Sequence, residues 1–191
     1  MEAEGEGAPP SAPIVVVGNG PAGLAVAAVL SGHLPFYHKQ HPDKTVHEAV
    51  TAAINRAAAA SGRAAGDISL VDVDLPRLVA LLRLGGRGNN AVANFADALL
   101  RPGVDQGKHH PSVVEHRLVK RRALPVVLVG DGPPGGSWWA MPEDTPTLSP
   151  GGWMSLPGGE GTSFADFATQ LGMVRTNTHP YARIRTLASC D

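Results

Sequence analysis

Two short stretches of this chain are apolar at nearly every position, and each runs straight into glycine. Ile14 to Val17 reads IVVV and is followed by Gly18, Gly20 and Gly23; Pro125 to Val129 reads PVVLV and is followed by GDGPPGG. β-Branched runs with no polar alternation suit strands covered on both faces. The pattern predicts strands at 14–17 and 125–129. Leu24 to Leu30 continues as a helix former, with Pro21 in the first turn, where a missing N–H costs nothing.

The pattern between these stretches is different. Residues 47–65 are alanine-rich and predict a helix. DISLVDVDLPRLVALLRL predicts a short extended piece and then a helix from about Leu75, with Leu78, Leu81 and Leu82 on one face. GGRGNN breaks it. AVANFADALL predicts an amphipathic helix stopped by Pro102 and Gly103. PSVVEHRLVKRRA predicts a helix ending in basic residues, as its dipole favours. In SGHLPFYHKQHPDK, where a simple unit would give its second strand, Asp43 sits in a polar, proline-containing loop. The second strand of a simple dinucleotide-binding unit therefore arrives only at 125–129, after a mostly helical insertion.

The spacing of Gly18, Gly20 and Gly23 is G-x-G-x-x-G. Between a buried strand and an apolar helix, that spacing has a mechanical reading. The first glycine allows a tight turn, the second lets a pyrophosphate approach the backbone, and the third lets helix and strand pack closely. The helix N-terminus then offers free N–H groups and a positive dipole end to an anion. Such units place an acid about 20 residues beyond the glycines to hold a ribose. Asp43 is at that distance but sits in a polar loop, which rejects it for the role.

Composition narrows the class. The 191 residues carry a net charge of −1, which gives no electrostatic case for nucleic acid or an anionic membrane. One cysteine, Cys190, excludes an intramolecular disulfide framework. MEAEGEGAPPSAP lacks the basic start of a signal peptide and reads as a disordered leader over 1–12. Glycine, asparagine and proline interrupt the apolar stretch after it, so no membrane span is expected. An intracellular, cytoplasmic setting follows as the default. His38 and His41, or His109 and His110, lack further ligands at metal spacing, so no metal is expected. Ser137 lacks the G-x-S-x-G context of a nucleophile, and KRRALP reads as a solvated helix end.

Read together, GNGPAG at 18–23 and GDGPPGGSWW at 130–139 resemble flavin-dependent monooxygenases, in which both loops embrace FAD. VVVGNGPAGL, LSGHLPFY, SLVDVDL, PSVVEHRLVK, VVLVGDGPPGGSWWAM and LSPGGWMSLPG, in that order, resemble the oxidative stress-induced growth inhibitor family. The resemblance implies an α/β, Rossmann-like FAD/NAD(P)-binding fold. In this chain it is incomplete, with a helical insertion (about 33–122) between its first two strands. The domain would occupy 13–167, with a divergent tail over 168–191. The family also implies NADPH use, growth inhibition, apoptosis and cytokinesis, with protein partners in growth control and a midbody location. The small-molecule substrate stays unspecified.

The cofactor-binding residues so implied are Gly18, Gly20, Pro21, Ala22, Gly23, Asp131, Gly135, Gly136, Trp138 and Ser149. Asp131 falls one or two residues past the usual ribose-binding acid. Trp138 is weighed against a core role, and Ser149 against a turn serine before Pro150. The only other G-x-G-x-x-G spacing, Gly130, Gly132 and Gly135, falls in the loop already given to FAD, so none is left for a nicotinamide, and the resemblance fades after Phe167. A truncated form is therefore expected, itself inactive as a monooxygenase. One alternative stays open, a non-catalytic, growth-regulating interaction protein with a vestigial nucleotide fold; the long gap between the two strands and the absent ribose acid argue against an ordinary NAD-dependent dehydrogenase.

Overall fold

A computed structural model of the chain describes residues 14–82, 90–108, 110–142, 156, 173–176 and 183–186, the last two segments by backbone alone. The leader at 1–12, His109, Ser149 and Cys190 lie outside the described residues. Residues 1–33 and 119–191 form one compact unit, and residues 34–118 form another.

The first unit is built on β1 (Ile14–Val17) and α1 (Pro21–Leu30). Numbering strands along the chain, it also contains β4 (Val126–Val129), β5 (Met173–Thr176) and β6 (Arg183–Thr186). The sheet order is β1-β4-β6-β5. β1 and β4 are parallel, in a register that sets Ile14 against Val126 and Val17 against Val129. β6 runs antiparallel to both β4 and β5. The tail at 168–191 thus supplies two strands that the sequence pattern did not reveal.

α1 covers one face of this sheet. Leu24, Ala27 and Ala28 are buried against Val126, Leu128 and Leu156, with Val16 and Leu30 at the margin. β4 alternates buried and half-buried positions. β1 departs from the expectation of burial on both faces, because Val15 is 57% and Val17 84% exposed. Among the described residues its paired neighbour is β4, and α1 covers the face that Val16 shares with Val126 and Leu128.

The second unit carries β2 (His33–Tyr37) and β3 (Val114–Leu118), paired as a two-stranded sheet, with α2 (Lys44–Ser61), α3 (Leu75–Leu82) and α4 (Ala91–Leu100). Two expectations are corrected here. PSVVEHRLVKRRA is not a helix: it forms β3 and then a tight 3-10 turn at Lys120–Arg122. HLPFY, inside the stretch expected to be a helical insertion, is a strand, with Leu34 and Phe36 buried alternately. The stretch at 33–122 is therefore mixed, because β2 gives β3 a partner and pairing overrides local propensity.

α2 begins earlier than the alanine run suggests. The Asp43 carboxylate accepts from the Thr45 and Val46 amides at 2.8 and 3.3 Å and caps the first turn. Gly62, with φ of +66°, ends it. Val46, Val50, Ala53 and Ile54 of α2 pack with Leu78 and Val79 of α3 and Phe95 and Leu99 of α4. Leu81 is 64% exposed, which corrects the expected leucine face. The stripe that packs inward is Leu75, Leu78, Val79 and Leu82, at i, i+3, i+4 and i+7.

Candidate functional site

The glycine-rich turns after β1 and β4 meet at the carboxyl ends of the two parallel strands. The Gly18 amide donates to the Val129 carbonyl at 2.6 Å, extending the ladder by one step. Gly18 then turns with φ of +105°, a conformation L side chains rarely adopt. Gly20 caps α1 in an extended conformation, and the Leu24 amide returns to its carbonyl at 3.0 Å.

Asn19 lies between those glycines and is 3% exposed. Its backbone carbonyl accepts from the Gly135 amide at 2.8 Å. Its side-chain Nδ2 donates to the carbonyls of Gly132 and Pro133, each at 3.0 Å. The two loops therefore touch through one buried residue. Gly136, at φ of +58°, completes the approach: a Cβ there would stand 3.1 Å from the Gly20 Cα. A Cβ on Gly130 would overlap the Asn19 side chain.

The three motif glycines do not share one constraint. Gly18 has a positive φ. Gly23 sits where a Cβ would strike the Gly18 carbonyl, so helix and strand can close. Gly20 has neither constraint, since a Cβ there meets nothing within 4 Å. Nothing in the protein's own packing demands glycine at that position.

Gly18, Gly20, Pro21, Ala22, Gly23, Gly135 and Gly136 are thus brought to one junction. Asp131 follows on the same loop, exposed. Trp138 is half-buried in the 3-10 turn at Gly136–Ala140, its amide donating to the Gly135 carbonyl at 3.3 Å. Trp139 projects outward, and its indole donates to the Pro134 carbonyl at 2.5 Å. Ser149 cannot be placed, being outside the described residues. The motif reading passed over Asn19, as it occupies a variable position. One signal was available: Asn19 is the only polar side chain between Ile14 and Leu30.

A second concavity, of about 440 Å³, lies in the other unit between the start of α2 and the end of α4. His41 is buried at its wall, with Nδ1 accepting from the Asp43 amide at 3.0 Å and Nε2–H donating to the Ala98 carbonyl at 3.1 Å. Arg101 on the same wall pairs with Asp97 at 2.6 Å. These partners tie helix ends together. Among the described residues no group of three or more histidine, cysteine or acidic side chains could hold a metal ion. No described helix is long and apolar enough to cross a membrane.

A mixed α/β protein with a glycine-lined junction at the ends of two parallel strands is the class these features define. Its similarities are to oxidative stress-induced growth inhibitors. It is 36% identical over 148 residues to human Oxidative stress-induced growth inhibitor 2, covering 76% of this chain and 26% of that protein. It is 37% identical over 147 residues to mouse Oxidative stress-induced growth inhibitor 1, covering 76% of this chain and 28% of that protein. A Caenorhabditis elegans homologue matches at 36% over 147 residues, 30% of its length. These matches support the family expected from the motifs, while the chain spans under a third of each relative's length. No protein-family model and no solved structure matches the chain.

Proposed function

We propose that the junction takes the diphosphate of a dinucleotide, FAD, as part of an NADPH-using, monooxygenase-like protein that acts in growth control under oxidative stress. The observation that carries this reading is Gly20. Its side-chain position opens into free space beside the N-terminus of α1, while the glycines around it answer to strain or packing. A ligand that must approach the backbone explains a glycine the fold does not need.

The donors fit an anion. The first-turn N–H groups of Ala22 and Gly23 have no intrahelical acceptor, and Pro21 brings none to leave unmet. The dipole end of the ten-residue α1 faces the same place. In this reading Asp131, exposed beyond β4, is the acid offered to the ribose, and the half-buried Trp138 covers the ligand's edge. When bound, the flavin supplies the oxygen-transfer chemistry. The protein's residues bind, orient and exclude water. Growth inhibition enters from the names of the relatives.

The test is an amide NMR titration of the 191-residue chain with ADP and with FAD. Shifts should concentrate at Ala22, Gly23, Gly135 and Gly136. Resonances that stay still up to millimolar ligand would overturn the reading.

A second reading rests on β1. The exposed Val15 and Val17 present apolar surface, which favours a protein-binding, non-catalytic role in growth control. Flavin-free binding of a protein partner, lost on Val17→Lys, would favour it.

A further inference from the structure

We infer that Asn19 is the positioning residue of the junction, a latch that holds the 132–136 loop against Gly20 before any ligand arrives. The functional half of this inference rests on the diphosphate reading above. The loop needs such a device. It contains Gly132, Gly135 and Gly136, all with positive φ, and ordering glycine costs more backbone entropy than ordering any other residue.

The chemistry of the latch is specific. Both groups that the Asn19 side chain meets, the Gly132 and Pro133 oxygens, are backbone carbonyls, and carbonyls only accept. The side chain must therefore be a donor there. An amide NH₂ supplies two N–H groups; a carboxylate supplies none and adds a charge facing two carbonyl dipoles. Burial sharpens the requirement, because an unmatched polar group at 3% exposure has no water to fall back on. The backbone of the same residue adds the third bond, from Gly135.

Gly130 is the counterpart of the latch. A Cβ there would overlap Cβ, Cγ and Oδ1 of Asn19. The residue just after β4 is thus kept small so that the Asn19 side chain can lie across it. With the latch in place, Gly136 comes to the Gly20 backbone, and the spacing of the two loops is set.

The experiment compares hydrogen exchange at the Gly135 amide, corrected for intrinsic rate, in the wild-type chain, Asn19→Asp and Asn19→Ala across pH. Asn19→Ala should lose about tenfold or more in protection at every pH, as expected for one or two net hydrogen bonds. Asn19→Asp should lose as much at neutral pH and regain part of it as the pH falls. Its buried carboxyl titrates above the ordinary range, and once protonated it donates one O–H to a carbonyl. A purely space-filling role would leave that profile flat.

Gly130→Ala should lower the unfolding midpoint in the wild-type background and be tolerated beside Asn19→Gly, which also removes the Cβ. Equal cost in both backgrounds, or wild-type protection in Asn19→Asp at neutral pH, overturns the latch. ADP titrations complete the separation. Unchanged affinity alongside lost protection overturns the positioning role. If the wild-type chain binds no ADP, the diphosphate reading fails and the positioning role fails with it; exchange then judges the latch alone.

Discussion

The Gly135 amide nitrogen lies 2.8 Å from the Asn19 carbonyl oxygen, joining two loops that the chain separates by an entire second unit. The bond forms because β1 and β4 are parallel and in register, so both turns leave the sheet at the same end. Any ligand of one loop is within reach of the other.

Gly20 and Gly23 should respond differently to the same methyl group. Gly23→Ala pushes a Cβ into the Gly18 carbonyl and should cost about 3 kcal/mol of stability, the upper range for overpacking. Gly20→Ala meets open space and should stay within about 1 kcal/mol, as for an ordinary N-cap change. Urea unfolding measures both. ADP binding should be lost in Gly20→Ala although its stability is kept.

β1 and β4 should likewise separate in mutational cost. Leu128 is fully buried beneath α1, so Leu128→Ala should cost about 2–5 kcal/mol. Val17→Thr, at a position 84% exposed, should stay within about 0.5 kcal/mol. Similar midpoint shifts for the two variants would contradict the one-sided burial of the sheet.

Ser69 links β2 to the turn before α3. Fully buried, its hydroxyl donates to the Pro35 carbonyl at 2.7 Å and accepts from the Val71 amide at 3.4 Å. Ser69→Ala leaves the Pro35 carbonyl without that donor, at a cost of about 1–3 kcal/mol. Thermal or urea unfolding reads the loss, and an unchanged midpoint would contradict it.

His33 gives the fold a pH dependence of known sign. Burial holds its pKa below the ordinary value for histidine, outweighing a bond to the Ala28 backbone that works the other way. Its Nδ1 is buried with no hydrogen-bond partner, so a proton added there is unmatched. The unfolded chain therefore binds a proton more readily than the folded one, and stability rises with pH. This contribution is complete above the ordinary histidine pKa and is lost as the pH falls through it toward the lowered folded value. Unfolding midpoints should drop over that interval in the wild-type chain and flatten in His33→Gln. An unaltered slope in His33→Gln would assign the dependence elsewhere.

The monooxygenase reading makes a chain-level prediction. G-x-G-x-x-G spacing occurs twice in the 191 residues, at Gly18, Gly20 and Gly23 and at Gly130, Gly132 and Gly135, and both copies lie in the one junction proposed for the flavin, which leaves none for a nicotinamide. The purified chain should bind FAD weakly and show no substrate-dependent NADPH oxidation, followed by absorbance. Steady turnover with stoichiometric flavin would require a nicotinamide site outside these two glycine loops and would overturn that expectation.

β1, α1 and β4 were legible in the sequence because their signals are local: β-branched runs, glycines at turns, and proline at a helix start. The reasons for Gly18 and Gly23 were legible for the same cause, since φ and close packing are settled within a few residues. The rest needed partners distant in the chain. Val114–Leu118 is a strand only because His33–Tyr37 lies beside it, and that segment hid behind Pro35 and polar neighbours. Val15 and Val17 look like core residues in any window, yet the placement of α1 on the opposite face leaves them in solvent. Leu81 shares the apolar character of Leu78 and Leu82, but the packing of α2 and α4 selects the stripe through Val79. Asn19 occupies a motif position with no assigned identity; its role appears only when the carbonyls of Gly132 and Pro133 arrive beside it. Local sequence determined which segments could be strand, turn and helix. Tertiary structure decided which apolar side chains met another surface, and which buried polar group found its partners, because burial and hydrogen bonding belong to pairs that the chain brings together only on folding.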